Sequence, residues 1–213
     1  MYNREQDKYT SKLKGHSFEI VSVEWHANGR LLASCGNVHD RQIIIWDTKK
    51  DVQVAYSRLN TEPKSMGFYH KSLITIGKGQ IRYWTVPETT TNSTKALNGR
   101  NVSLKDHRNA CFNDMATTSR ALFIVSPDGI GKLTTTRTLQ SWCDIRGTNC
   151  ITSVQDLLLV GIQDADDSRV LIMNENFQQL KSFQPEGSAP IPVACQPFDQ
   201  SHIVIVYEDR LVK

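Results

Sequence analysis

The sequence has no apolar run that approaches the roughly 18 residues of a membrane-spanning helix, so we expect no association with a membrane. Residues 1–16 are polar throughout, which is not typical of a signal peptide. Neither sign of charge is in large excess. The chain has 25 Lys and Arg and 22 Asp and Glu, which gives a formal net charge of +3. So small an excess does not predict nucleic acid as a partner. We therefore expect a cytoplasmic protein.

Paired cysteines are missing as well. The five cysteines form an odd set without a CxxC pair: Cys35, Cys111, Cys143, Cys150 and Cys195. This pattern argues against a disulfide framework and favours free thiols in a reducing compartment. The histidines show no pair at the i, i+4 spacing of a helical zinc site. We therefore expect no metal ion and no cofactor.

No segment has the 3.6-residue period of an amphipathic helix. Instead, apolar runs of four to seven residues recur between turns that contain Gly, Asp, Asn or Pro. These runs group into units of about forty residues, a period typical of repeat architectures. The sequence therefore predicts an all-β fold of about five units.

The first unit has the strongest pattern. It opens with Gly15-His16, turns at Asn28-Gly29 and ends with Trp46-Asp47, with three apolar runs between these points. This resembles a WD repeat, one four-stranded blade of a β-propeller. The resemblance implies a WD-repeat β-propeller in which the first blade is complete, the later blades are degenerate and the last is truncated.

The predicted organisation follows from the turns. We expect an outer strand of a preceding blade, a WD blade, a degenerate blade, an inter-blade loop, two further degenerate blades and a partial blade, at residues 1–14, 15–56, 57–86, 87–109, 110–145, 146–184 and 185–213. Because only the outer strand of the preceding blade is present and the last unit stops within its third strand, we interpret the chain as a piece of a longer propeller protein.

The WD resemblance also implies a hydrogen-bonded chain of four side chains, His16, Ser34, Asp40 and Trp46. Asp40 would orient the imidazole of His16, which would bond Ser34, which would meet the indole N–H of Trp46. Such a network stabilises a fold when every buried polar group has a partner. A catalytic His, Asp and Ser set is the alternative, but neither a nucleophile elbow nor an oxyanion motif accompanies it. We therefore predict no catalytic residue and no enzyme activity.

Several segments resemble one family of WD-repeat proteins more closely. They read HDRQIIIWDTKKDVQVAYSRLN, LITIGKGQIRYW, LNGRNVSLKDHRNACFNDMA and CQPFDQSHIVIVYEDRLV. They are similar to the mitogen-activated-protein-kinase-binding scaffolds, a family that includes a spindle-pole protein linked to brain size. The resemblance implies a cytoplasmic scaffold for the c-Jun N-terminal kinase pathway, or a protein of the centrosome or spindle pole. Its partners would be kinase-pathway or centrosomal proteins, with oligomer formation open in the full-length protein.

One basic stretch stands out in the predicted inter-blade loop. Lys95, Arg100, Lys105 and Arg108 lie within fourteen residues, together with His107. The plain interpretation is a solvated loop, and the alternative is contact between these residues and an acidic partner or a tubulin tail. A microtubule or another acidic polymer, bound by a cytoskeleton- or cilium-associated protein, is the second functional hypothesis, and such binding would weaken as salt rises.

Overall fold

The structure is a computed structural model. It describes residues 2–3, 8–9, 12–87, 94–164, 167–184, 191–197 and 203–208. Throughout these residues the chain is built from β-strands and one three-residue 3-10 helix. The all-β prediction is confirmed.

The chain divides into two compact units. The first consists of Met1–Ile74 and Tyr83–Arg100, and the second of Thr75–Arg82 and Asn101–Lys213. Each unit has its own cluster of buried apolar side chains.

A five-stranded sheet forms most of the first unit. Its first four strands, β3 to β6, are antiparallel neighbours in chain order: Ile20–Trp25, Leu31–Gly36, Gln42–Asp47 and Val52–Arg58. Strands β4 and β5 carry near-continuous apolar runs and are buried, as expected for central strands. The edge strand β3 is different, because Ile20, Val23 and Trp25 are about half exposed.

The second sheet has four strands. Strands β7 (Ser65–Tyr69), β8 (Ser72–Gly77) and β9 (Gln80–Thr85) follow one another, and β11 (Asn98–Asn101) pairs with β9 at the other edge. The tight turn between β8 and β9 places Gly79 at φ 63°. A left-handed backbone of this kind favours glycine.

Two four-stranded antiparallel sheets follow in the second unit. The third sheet contains β12 to β15, at Asp114–Thr117, Leu122–Ser126, Gly129–Leu133 and Leu139–Cys143. The fourth contains β16 to β19, at Thr148–Val154, Leu157–Asp164, Asp167–Asn174 and Gln179–Phe183. Their inner strands supply the buried core of this unit, which includes Phe123, Leu158 and Val160.

Two short hairpins complete the described strands. Strands β1 (Tyr2–Asn3) and β2 (Lys8–Tyr9) pair near the N-terminus, and β20 (Ile191–Pro197) pairs with β21 (Ile203–Glu208). Parts of the predicted outer strand at residues 1–14 and of the predicted partial blade at 185–213 lie outside the described residues.

The structure differs from the prediction of an inter-blade loop at residues 87–109. Strand β10 (Lys95–Ala96) pairs with β6 in parallel, and β11 is the fourth strand of the second sheet. Strand β11 reads NGRN and has no apolar alternation, so periodicity could not identify it. Backbone hydrogen bonds to β9, rather than side-chain burial, account for this strand.

Candidate functional site

The four side chains of the predicted network lie together in the first sheet. Nδ1 of His16 is 2.6 Å from Oδ2 of Asp40, and Nε2 of His16 is 2.6 Å from Oγ of Ser34. Nε1 of Trp46 donates to the same Ser34 oxygen over 2.7 Å. Strand β4 supplies Ser34, strand β5 supplies Trp46, and Asp40 stands in the turn between these strands. The network therefore ties both central strands to the segment before β3.

The donor-only indole sets the direction of the hydrogen bonds. Since Trp46 donates to Ser34, the Ser34 hydroxyl is left to donate to Nε2 of a neutral His16. Nδ1–H of His16 then donates to Asp40, whose other carboxylate oxygen accepts the backbone N–H of Ser17 at 2.8 Å. We assign this tautomer because it gives every member of the network a partner.

The network is almost closed to water. The side chains of His16 and Asp40 are 4% and 0% exposed, and Ser34 as a residue is 2% exposed. Burial raises the pKa of Asp40, but the hydrogen bonds from His16 and Ser17 outweigh it and hold that pKa below its ordinary value. Asp40 is therefore a stable carboxylate at neutral pH.

The same distances are those of a Ser, His and Asp catalytic triad. However, the Ser34 oxygen is buried and already accepts the Trp46 indole N–H. A nucleophile needs an open approach to a substrate carbon. The arrangement therefore suits a structural network better than a catalytic site.

A second polar pair near the network has no counterpart in the predicted site. Asp47 is 1% exposed, and its Oδ2 accepts hydrogen bonds from Nε of Arg30 at 2.9 Å and from its terminal nitrogen at 2.5 Å. Its Oδ1 accepts the backbone N–H groups of Lys49 and Lys50. The Arg30 hydrogen bond is the main cause that holds the pKa of Asp47 below its ordinary value. The Trp-Asp ending thus contributes two separate anchors to the blade.

Each of the two units contains two of the four predicted basic contact residues. Lys95 and Arg100 are exposed on β10 and β11, within the first unit. Lys105 and Arg108 are exposed in the second unit, at a 3-10 helix over Lys105–His107 and the turn that follows. Nε of Arg108 donates to the backbone carbonyl of Lys105 over 3.2 Å. Only Lys105 and Arg108 are thus shown to contact each other.

His107 has a different setting from its basic neighbours. Its ring is stacked on the indole of Trp142, with centroids 3.8 Å apart and planes inclined by 22°. Nε1 of Trp142 in turn donates to Asp144 over 3.0 Å. His107 is half-buried and anchors the segment that carries Lys105 and Arg108. Sequence reasoning had no signal for this pair, since the two residues lie 35 positions apart.

The described residues hold no cluster of three or more His, Cys, Asp or Glu side chains that could bind a metal ion. Within the same part of the chain, no helix is long and apolar enough to cross a membrane. The four cysteines whose side chains are described are free thiols: Cys35, Cys111, Cys143 and Cys150. Burial raises the pKa of the Cys35 thiol to about 12, so it is a poor nucleophile.

Comparison with known proteins agrees with this architecture. The family model "WD domain, G-beta repeat" matches residues 7–47. The β-propeller domain of Myceliophteria thermophila Cps50 (Swd1) superposes with a TM-score of 0.71 at 16% identity, covering 90% of this chain and 67% of that one. The chain contains a WD40 repeat and has the β-propeller fold, as predicted.

Two curated relatives match part of the chain. Protein FIZZY-RELATED 1 of Arabidopsis thaliana and the B-type cell cycle switch protein ccs52A of Medicago truncatula are each 32% identical over 97 residues. Each match covers 42% of this chain and only 19% of the relative's length. These relatives and Swd1 are neither kinase scaffolds nor spindle-pole proteins, so they support the WD-repeat resemblance and not the narrower one.

Proposed function

We propose that this chain is a non-enzymatic protein-interaction scaffold within a larger WD-repeat protein. The observation that carries this proposal is the first blade, where a fully bonded and buried polar network holds His16, Ser34, Asp40 and Trp46. In a network of this kind the polar groups bond to one another and hold the first sheet rigid. Exposed side chains of the connecting segments remain available to contact a partner.

The cellular context is a further part of the proposal. The resemblance of residues 97–116 and the other quoted segments favours a cytoplasmic scaffold of the c-Jun N-terminal kinase pathway or the spindle pole. The name of one plant relative, the B-type cell cycle switch protein ccs52A, favours a cell-cycle setting instead. Both contexts share the same biochemical role, which is assembly of other proteins on a β-propeller.

Affinity capture tests the scaffold role. The tagged chain is expressed in cells, and captured proteins are quantified against Trp46→Ala, which removes the network and a buried aromatic side chain. A reproducible set of proteins captured by the folded chain and lost with the variant supports the proposal. Capture that is equal for both chains contradicts it. The identity of the set, kinase-pathway or cell-cycle proteins, decides between the contexts.

Removal of residues 97–116 is not a suitable way to locate the surface. This segment contains five buried apolar residues: Leu97, Val102, Leu104, Phe112 and Ala116. Their loss would disturb the core. Single substitutions of exposed residues leave the core intact and are the better choice.

Binding to an acidic polymer is the second candidate function. The exposure of Lys95, Arg100, Lys105 and Arg108 favours it. Co-sedimentation with microtubules at rising salt concentration tests this candidate, because contacts between exposed charges are screened over about 8 Å at physiological ionic strength. Sedimentation that does not change with salt, or none at all, excludes it.

A further inference from the structure

A polar pocket lies in the second unit beside the anchored basic segment. Its volume is ≈ 450 Å³, within the range of about 300–1,000 Å³ that is common for ligand sites. The side chains that decide its chemistry are those of Gln80, Asn101, Ser103, Lys105, Asp106 and Arg108.

The walls of the pocket are fixed by the backbone. The N–H of Gly79 donates to the carbonyl of Ala110 over 2.8 Å, and the N–H of Val102 donates to the carbonyl of Ile81 over 2.9 Å. Ser103 forms a parallel bridge to Thr138. The buried side chains of Val102 and Leu104 fix the same segment from within. A site held in this way loses little conformational freedom when a ligand binds.

The close approach of two chain segments depends on a glycine. A Cβ at Gly79 would lie 2.6 Å from the carbonyl oxygen of Arg108. A larger residue would therefore push apart the turn between β8 and β9 and the segment that carries both cations. Gly79 and Arg108 both line the pocket, so this contact is part of its wall.

The charges of the lining select the ligand. Lys105 and Arg108 supply two positive charges and Asp106 one negative charge, so the lining carries a net charge of +1. A single carboxylate balances this charge, and a guanidinium can bind a carboxylate with two parallel hydrogen bonds. A phosphate dianion would instead leave the filled pocket with a net charge of −1. The lining thus favours one monovalent anion.

The neutral residues indicate a peptide rather than a free anion. Nε2 of Gln80 donates to Oδ1 of Asn101 over 3.3 Å, and the side-chain amide of Asn101 carries two N–H donors of its own. Together with the Ser103 hydroxyl, these donors match the carbonyl groups of a polypeptide backbone. With two cations only, the pocket offers little to the regular phosphate array of a nucleic acid.

We propose that this pocket binds an acidic peptide segment of a partner protein, with a Glu or Asp carboxylate seated against Arg108 and Lys105. The inference rests on the scaffold function and names the chemistry of one contact within it.

The test uses the whole chain and a fluorescein-labelled peptide of alternating glutamate and glycine, followed by fluorescence anisotropy. We expect Arg108→Glu and Lys105→Glu to weaken binding about tenfold, the effect of roughly 1.4 kcal/mol. Lys95→Glu and Arg100→Glu make the same charge change outside the pocket lining and should alter the affinity less than about twofold. Equal losses in all four variants would mean attraction by net charge and would overturn the proposal.

A milder variant controls for unfolding of the chain by Arg108→Glu. Arg108→Glu removes the hydrogen bond to the Lys105 carbonyl, so Arg108→Gln, which keeps a donor, is measured beside it with a thermal melt of each protein. Arg108→Gln should also weaken binding while melting like the unsubstituted chain. Binding that stays unchanged in this variant contradicts the proposed site.

Three further probes decide the ligand class. A matched glutamine and glycine peptide should bind at least about tenfold more weakly. Tighter binding of a phosphoserine peptide or a single-stranded oligonucleotide would overturn the choice of a carboxylate peptide. If the pocket variants still capture the full set of cellular partners, the pocket proposal fails and the scaffold function stands. If the unsubstituted chain captures none, the scaffold function itself fails.

Discussion

The imidazole of His107 lies flat on the indole of Trp142, with ring centroids 3.8 Å apart. The contact joins the segment after β11 to strand β15 (Leu139–Cys143), far away in sequence. It acts together with the buried side chains of Val102 and Leu104. These contacts make the segment after β11 a fixed part of the second unit, although sequence reasoning assigns it to a solvated loop.

His107→Ala should loosen this segment without unfolding the chain. An aromatic pair contributes about 0.5–1.5 kcal/mol beyond its buried area, so local opening should become about two- to tenfold more frequent. Hydrogen exchange of the Ala110 and Gly79 amides, which are bonded to the carbonyls of His107 and Ala110, measures this. The exposed His39 provides the control, and His39→Ala should leave both amides unchanged. Equal exchange in the two variants would show that the stack fixes nothing.

Gly79→Ala should destabilise the chain more than Gly29→Ala. Both glycines have φ 63°, so both substitutions place a side chain in the left-handed region, at about 1–2 kcal/mol. A Cβ at position 29 meets no atom within 4 Å, whereas one at position 79 meets the Arg108 carbonyl. Urea denaturation of both variants isolates the cost of the clash. Equal losses of unfolding free energy would contradict the close contact of the two segments.

The apolar pattern of the sequence predicted the strands that bury their side chains. It could not predict the polar strands that pair through the backbone. The apolar runs at Ile43–Ile45 and Leu122–Val125 lie in central strands, so hydrophobic pattern and structure coincide there. Strand β11 and the parallel strand β10 are short and largely exposed, and they pair with β9 and β6 through the main chain. Such strands leave no period in the sequence.

The same distinction applies to the candidate sites, of which one has a sequence motif and the other has none. The network of His16, Ser34, Asp40 and Trp46 has a fixed spacing in WD repeats, so a resemblance can transfer it. The pocket has no motif, because Gln80 and Arg108 come together only after the chain has folded. The role of Arg30 beside Asp47 is likewise a product of folding, since Arg30 lies in the turn before β4 and Asp47 ends β5, 17 residues further along the chain.

Trp46→Ala should cost about 3–5 kcal/mol of unfolding free energy, as expected for a buried aromatic side chain. Trp46 is 4% exposed, and its loss also leaves Ser34 with one partner fewer. Trp25 is 48% exposed and gives a matched control. Trp25→Ala should cost clearly less in the same denaturation experiment. A reversed order would be incompatible with the first blade as described.

Asp40→Asn should remove a stabilising effect that depends on pH. The folded-state pKa of Asp40 is below its ordinary value, so its contribution is complete above the unfolded carboxyl pKa of about 4 and disappears as the pH falls through the folded pKa. We expect the variant to lose about 1–3 kcal/mol at neutral pH. The difference from the unsubstituted chain should shrink with acidification. A difference that grows on acidification would contradict the depressed pKa.

Lysine-directed cross-linking of the captured complexes, read by mass spectrometry, tests the central claim most directly. Lys78 and Lys105 lie at the pocket, next to Gly79 and in its lining, while Lys49, Lys50 and Lys181 are exposed elsewhere. If the chain is a scaffold that holds partners at this pocket, cross-links to other proteins should concentrate at Lys78 and Lys105. Cross-links spread evenly over all five lysines, or absent from the first two, would contradict the account.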